Sequence, residues 1–386
     1  PMLEHAKARL QDFQLKMQNA GIDIALLTDE STIAYYAGFW GYLSVEFGRP
    51  TFLVVPADGD PTVVTPRMES EMVSAMTWVP NIRTWEDSGP NHWGNVLAQI
   101  LGTRRHKLGV EKTVLPSLIR NWLDDSAVSV ELTDASPLIG EMRAIKSSFE
   151  IGVMKQAGLI AAAMMSAAED SLAEGAPEYE SALAIINAGT RAAAGFLTHK
   201  GWERFVSPII HNLQIMQSGI DTSMPHRRAS IKTLEAGDPI YFCFCNMAQF
   251  KQYKLGFDRM FNIHYVSDQA ADVQQTAIDA QQAALSVVAP GVTAETVAEA
   301  ANEVYQKKGY APSYRTGRSI GMAYLETPEL KSGDHTILQE GMTFAVDGGI
   351  SIEGQFGGRI GDSIVVTAEG FEYLTEYPRE VVVVNR

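Results

Sequence analysis

The sequence predicts a smaller α/β domain at the N-terminal end and a larger α+β domain after it, within 386 residues. Three observations carry this. Short β-rich runs alternate with helical patterns over residues 1–140, the texture of α/β proteins. From Glu141 the helical patterns lengthen and are separated by apolar runs of β character, as when helices group against a mainly antiparallel sheet. The length exceeds what one core holds, because single cores stop growing at about 250–300 residues. The domains are therefore drawn as 1–140 and 141–386.

Taken in order, Leu3–Ala20 has the spacing of an amphipathic helix. Ile22–Thr28 and Thr51–Pro56 read as strands on either side of an aromatic loop. Further β-rich runs follow at Pro61–Thr65, Lys107–Glu111 and Val128–Leu132, with a helix at Leu115–Asp124. The second domain opens with a long helical pattern at Ser147–Glu174, and others occupy Tyr179–Ala194, Ala270–Val288 and Ala294–Lys308. Strands are expected at Pro239–Cys245, Asp258–Val266, Thr343–Val346 and Gly361–Thr367. Ala289-Pro290-Gly291, Glu340-Gly341 and Asp347-Gly348-Gly349 are read as the turns between them.

Lys and Arg number 31 against 46 Asp and Glu, a formal charge of −15, which argues against a polyanionic partner such as nucleic acid. No uninterrupted apolar stretch of about 18 residues and no N-terminal basic-plus-apolar leader is seen, so neither a membrane span nor export is expected. The two cysteines, Cys243 and Cys245, are read as thiols that do not bond to each other, which makes a cytoplasmic setting the expectation. Gly-x-Gly-x-x-Gly after a strand, a phosphate loop and a Gly-x-Ser-x-Gly elbow are all absent.

Asp258, Asp347 and Asp362 sit in or beside apolar β-type runs. A carboxylate in a buried sheet must be paired, protonated or bound to a cation. The bland account is a structural ion pair, Asp258 with Arg259 or Asp362 with Arg359. His226 lies in a loop-like stretch before a strand, where an imidazole that exchanges protons near neutral pH suits general acid/base work. An exposed loop histidine is the competing account, and His211 has no better claim. Ala34–Tyr42 is dense in aromatics and is followed by Phe47-Gly48-Arg49. Aromatic faces hold onium groups and arginine clamps carboxylates, so this stretch suits a small zwitterion. A loop filled by its own aromatics, with Arg49 in a salt bridge, fits the same residues.

The segment Arg143-Ala144-Ile145-Lys146-Ser147-Ser148-Phe149-Glu150-Ile151, then Gly237-Asp238, Gly341-Met342 and Arg359-Ile360-Gly361-Asp362-Ser363, resembles in order and spacing the pita-bread family that contains methionine aminopeptidase, prolidase and creatinase. The resemblance implies a pita-bread catalytic domain with a creatinase/aminopeptidase P-like N-terminal domain. The metallopeptidase members hold two metals with two aspartates, a histidine and two glutamates. Those positions match Cys243, Gly256, Arg318, Asp347 and Gly361 here. Two glycines and a permanent cation cannot supply the oxygen and nitrogen donors such metals need, so no metal and no other cofactor is expected.

Similarity to creatinase, the metal-free relative, is closer. It implies His226 as the catalytic histidine, Phe47 and Arg49 as the carboxylate-binding pair, and Asp258 and Asp347 as binders of a guanidinium group. Aspartates replace creatinase's glutamates, which withdraws each carboxylate by one methylene. Arg318 is new where the family usually keeps a histidine, and it either binds substrate or balances Asp347. The resemblance also implies a homodimer whose active site is shared between subunits, with Arg49 acting across the interface. The expectation is a metal-independent, creatinase-like amidinohydrolase that cleaves a C–N bond of a small zwitterionic amidine or guanidine. Ring opening of a cyclic amidine, as by ectoine hydrolase, is the alternative. A lyase acting on an onium zwitterion and a non-catalytic binding module on the same fold are the others.

Overall fold

The computed structural model describes residues 1–41, 49–210 and 215–386. Phe47, Tyr42 and His211 lie outside the described residues. The chain divides into two compact units, Pro1–Met142 and Arg143–Arg386.

The first unit is built on a six-stranded sheet of β1 (Ile24–Leu27), β2 (Phe52–Pro56), β3 (Thr62–Pro66), β4 (Asn81–Trp85), β5 (His106–Val110) and β6 (Val130–Asp134), in the order β4-β3-β2-β1-β5-β6. β1, β2 and β3 run antiparallel in succession, whereas β5 and β6 join β1 in parallel. Among the described residues five α-helices accompany it: α1 (Met2–Ala20), α2 (Glu30–Ala37), α3 (Ser70–Met76), α4 (Trp93–Leu101) and α5 (Ser117–Asp125). α1 buries Ala6, Leu10, Phe13 and Met17, the i, i+4, i+7, i+11 stripe that marked it as amphipathic.

The aromatic stretch after β1 departs from its reading as a loop. Asp29 caps α2 by accepting from the Thr32 amide, and Gly38 ends it in the left-handed region (φ 70°). Tyr35 and Tyr36 therefore lie on a helix and are buried, as is Phe39, and Tyr36 stacks on Phe13 with centroids 4.8 Å apart. These rings serve the core of this unit. β4 was not foreseen, because Asn81-Ile82-Arg83-Thr84-Trp85 lacks a continuous apolar run.

α6 (Ser136–Ala144) contains the boundary between the units. In the second unit, α7 (Ser148–Asp170) and α8 (Glu178–Ala194) precede β7 (Ile215–Ser218), β8 (Pro239–Cys243), β9 (Gln249–Phe250), β10 (Tyr253–Lys254) and β11 (Asp258–Ile263). α9 (Asp268–Ser286) and α10 (Ala294–Lys307) lead to β12 (Gly317–Ser319), β13 (Glu326–Leu330), β14 (Thr343–Ile352), β15 (Phe356–Thr367), β16 (Gly370–Tyr373) and β17 (Val383–Val384). Among the described residues nine strands form one sheet whose main path is β13-β12-β14-β15-β11-β8-β7. Pairing is antiparallel along this path, and β17 joins β11 in parallel.

α7 starts at a capping box in which Ser147 and Glu150 each satisfy the other's backbone amide. It is long and apolar enough by composition to cross a membrane, yet Val153, Met154, Ala157, Ile160, Ala161 and Met164 are buried inside this unit. Gly158 is where it touches the chain most closely, since a Cβ there would lie 1.7 Å from the Leu374 carbonyl oxygen.

The turn expected at Asp347-Gly348-Gly349 is instead the middle of β14, which pairs with β15 over ten residue pairs. Gly348 is glycine for another reason: a Cβ there would meet the Ala277 carbonyl oxygen of α9 at 1.9 Å. Gly358 likewise admits Val273 and Gln274 of α9. The glycines that imitated a turn signal are the floor on which α9 lies, and Asp347 is fixed in a central strand.

Candidate active site

Antiparallel register places Cys243, Asp258, Gly361 and Asp347 in one row across β8, β11, β15 and β14. Gly361 separates the two aspartates, and a Cβ added to it would be 2.5 Å from Asp347 Oδ1 and 2.9 Å from Asp258 Oδ2. Both carboxylates thus lean over the glycine from opposite sides. The other face of β15 is turned to α9, as Asp362 Oδ2 accepts from Gln281 at 2.8 Å.

Asp258 is buried, and its Oδ2 accepts from the Tyr241 hydroxyl at 2.9 Å. Burial and the neighbouring Asp347 charge push its carboxyl up to about 7. Burial also lifts Asp347, against the pull of Arg318. Asp347 is the open member of the pair, its side chain 35% exposed. Burial and Asp258 hold the Tyr241 hydroxyl well above the usual phenol range, so it stays a donor.

Arg318 on β12 is buried and already committed. Its Nη1 is 3.2 Å from Asp347 Oδ2, its Nε donates to the Tyr324 carbonyl at 3.2 Å, and its guanidinium lies 3.9 Å from the Tyr324 ring centroid. Of the two roles open to it, neutralising Asp347 is the one this geometry displays.

The bland ion pairs exchange partners. Arg259 donates to Asp362 at 2.8 Å, not to the Asp258 carboxylate, and Arg379 reaches Asp362 Oδ2 at 3.0 Å. Asp362 is therefore a structural acid on the α9 face, while the Asp258 carboxylate accepts from the Tyr241 hydroxyl. Arg359, expected as the partner of Asp362, instead points over the site face.

His226 is exposed, on the segment that returns after β7. The residues around it are held firmly. Gln217 donates to the Met224 carbonyl at 2.8 Å, and Arg227 forms an ion pair with Glu178 at 2.7 Å. Glu178 is fully buried at the start of α8 and also accepts from Ser218 and Ser230. Burial opposes its charge, but these donors outweigh burial and hold its carboxyl low. Pro225, next to His226, offers its carbonyl to Arg359 at 3.5 Å, which joins this segment to the site face.

Arg49 lies in the first unit, 2.6 Å from Asp87 in an exposed salt bridge. Of the six residues expected to form the site, Asp258, Asp347 and Arg318 are brought together; Phe47 is outside the described residues. Two members were missed. Tyr241 sits two residues before Cys243 on β8, so strand periodicity would have put it on the same face. Arg359 was credited to Asp362, although it stands two positions from Gly361 and shares its face by the same rule.

Cys243 and Cys245 are joined in a disulfide, which overturns the reading of unpaired thiols. β8 ends at Cys243, and Cys245 lies in the turn that follows, where the chain bends and brings the two Cα atoms to 5.5 Å. The bond also removes the thiol argument for a reducing compartment. Cys243, Cys245 and Asp258 form a group with metal-ligating proximity among the described residues, but sulfurs bonded to each other are not thiolate ligands. A dinuclear centre does not fit the matched positions either. Gly256 and Gly361 offer no donor atoms, and a guanidinium nitrogen would lie 3.3 Å from a Cβ at Gly256.

An N-terminal α/β unit followed by this sheet-and-helix unit is a creatinase/prolidase-type hydrolase fold. Residues 152–368 match the metallopeptidase family M24, and residues 9–145 match the creatinase/prolidase N-terminal domain. The chain belongs to the metallopeptidase M24 family, in its creatinase/prolidase-like, two-domain form. It is 29% identical over 395 residues to the agropine synthesis cyclase of Rhizobium rhizogenes, covering 98% of this chain and 97% of that protein. It is 27% identical over 391 residues to the creatinase of Bacillus sp. (strain B-0618), covering 96% and 89% respectively. A recombinant prolidase from Thermococcus sibiricus superimposes with a TM-score of 0.85 at 26% identity, over 98% of this chain and 99% of that one.

Proposed function

We propose that the protein is a metal-independent hydrolase that cleaves a C–N bond of a small zwitterionic amidine or guanidine. The observation that carries this reading is the pair of aspartates converging across Gly361. Two carboxylates that lean over one glycine, one buried and one partly open, suit a cation between them, and a planar N–C–N cation offers N–H donors to both. At the metallopeptidase positions the donor set is one carboxylate, two glycines, a bonded cysteine and an arginine, which favours an organic cation over metal ions.

In this reading Asp258 and Asp347 grip the N–C–N unit and sharpen the positive character of its central carbon. His226 takes a proton from the attacking water and returns it to the leaving nitrogen, so the C–O bond forms as the C–N bond breaks. Tyr241 keeps Asp258 oriented. Chelator-treated protein incubated with creatine and with ectoine, followed by proton NMR, tests it. Sarcosine plus urea, or a ring-opened acetyl-diaminobutyrate, is the supporting result; no change in either compound removes both named substrates. Substituting His226→Ala should abolish turnover and leave substrate affinity within about tenfold; retained turnover removes the histidine mechanism.

A second reading is favoured by the relative named a cyclase. Ring closure by loss of water is the reverse of ring-opening hydrolysis, and one site serves both directions. Uptake of oxygen from labelled water separates them, since hydrolysis incorporates it and closure does not.

A further inference from the structure

Resting on the reading of Asp258 and Asp347 as a cation site, we propose that Arg359 anchors the substrate's carboxylate, so that β15 carries both poles of a zwitterion site. Three arginines compete for this role. Arg49 is paired with Asp87 at 2.6 Å, and Arg318 is paired with Asp347 and stacked on Tyr324. Arg359 has no carboxylate partner among the described residues, in a chain with 46 acidic side chains.

What holds Arg359 is neutral. Nη2 donates to Ser351 Oγ at 3.2 Å and Nη1 reaches the Pro225 carbonyl at 3.5 Å, while the guanidinium carbon is 5.2 Å from the Tyr241 ring centroid. These contacts fix the group's direction, with no carboxylate at ion-pair distance among the described residues. A partly buried guanidinium of this kind gains most from an anion that brings two oxygens to its fork.

Its position suits a small molecule. Arg359 and Gly361 are two residues apart on β15, about 6.5 Å along the strand and on the same face. Tyr241 bridges the poles, with its ring beneath Arg359 and its hydroxyl on Asp258. A ligand with its cation over Gly361 and its carboxylate toward Arg359 also lies beside Pro225 and the His226 segment.

Methylguanidinium and guanidinoacetate test this by their binding, because they differ only by the carboxylate. Titration calorimetry on the full chain should give guanidinoacetate an advantage of about tenfold or more, the scale of one charge-assisted contact. Arg359→Met should bring the two ligands within about threefold of each other, and Arg359→Lys should keep part of the preference. Equal affinities for the wild-type protein overturn the anchor and leave the cation site standing. A preference that survives in Arg359→Met moves the anchor to another arginine and overturns the proposal. Binding of neither ligand overturns the paired-aspartate reading and the anchor with it.

Discussion

A Cβ on Gly361 would lie within 3 Å of a carboxylate oxygen on either side, so the missing side chain is what lets Asp258 and Asp347 share one face. Gly361→Ala should spread the two acids and weaken methylguanidinium binding by about tenfold, at a stability cost of about 1 kcal/mol because carboxylate tips can swing aside. Calorimetric titration and a urea melt read the two effects separately. Asp258 makes a pH prediction of definite sign. Its carboxyl sits near 7 in the folded protein and near the ordinary value in the unfolded chain, so the folded state binds the extra proton. Its contribution to stability is full at low pH, declines as pH rises from about 4 to about 7, and is flat above. Asp258→Asn keeps an acceptor for Tyr241 and should be more stable than the wild type at pH 8, the gap closing toward pH 4 in urea melts. Retention of the full gap at pH 4 rejects a raised carboxyl as its source.

Elements, more than single residues, set where these groups stand. The long β14–β15 hairpin holds its two strands in register over ten residue pairs, and its Gly348 and Gly358 admit α9 against the sheet. That contact fixes one face of β15 and leaves the alternate residues, Arg359 and Gly361, on the other. α7 is held in the same fashion by Gly158, which meets the Leu374 carbonyl. Gly158→Ala puts a methyl group where no space exists and should cost about 3 kcal/mol, visible as a lowered urea midpoint with an unchanged slope. Helix propensity alone predicts the opposite sign, so the measurement decides between close approach and intrinsic preference. α8 has a different duty: its first residue, Glu178, is the buried post to which Arg227 and Ser230 tie the His226 segment.

On the scale of the whole molecule, the chain's charge of −15 gives no guide to the site, because local arginines decide its field. Arg318 and Arg359 bring two positive charges to the face that holds the acids. Arg49 belongs to the first unit, and its expected role acts through a second copy of the chain. A homodimer is accordingly the expected solution state: sedimentation equilibrium should return twice the chain's 42.2 kDa, and a monomer at working concentration rejects a shared active site. The long elements were legible in the sequence, since α1, α7, α8, α9 and α10 each carry a periodic apolar stripe over 14 residues or more. β4 and α2 were not, because one is half polar and the other is short and was masked by its aromatics.

The sequence by itself determined the two-domain fold class and the strand that carries Asp258, because these depend on residue type and periodicity along the chain. Only the tertiary structure decided which arginine meets which acid. Strand alternation is local, but partners across a sheet depend on register between segments about 100 residues apart, as Arg259 and Asp362 are. The same reason separates the two meanings of glycine at 348 and 361. A residue without a side chain reads as a turn in one dimension, and only the neighbours that fill its space, a helix backbone at one and two carboxylates at the other, say what it is for.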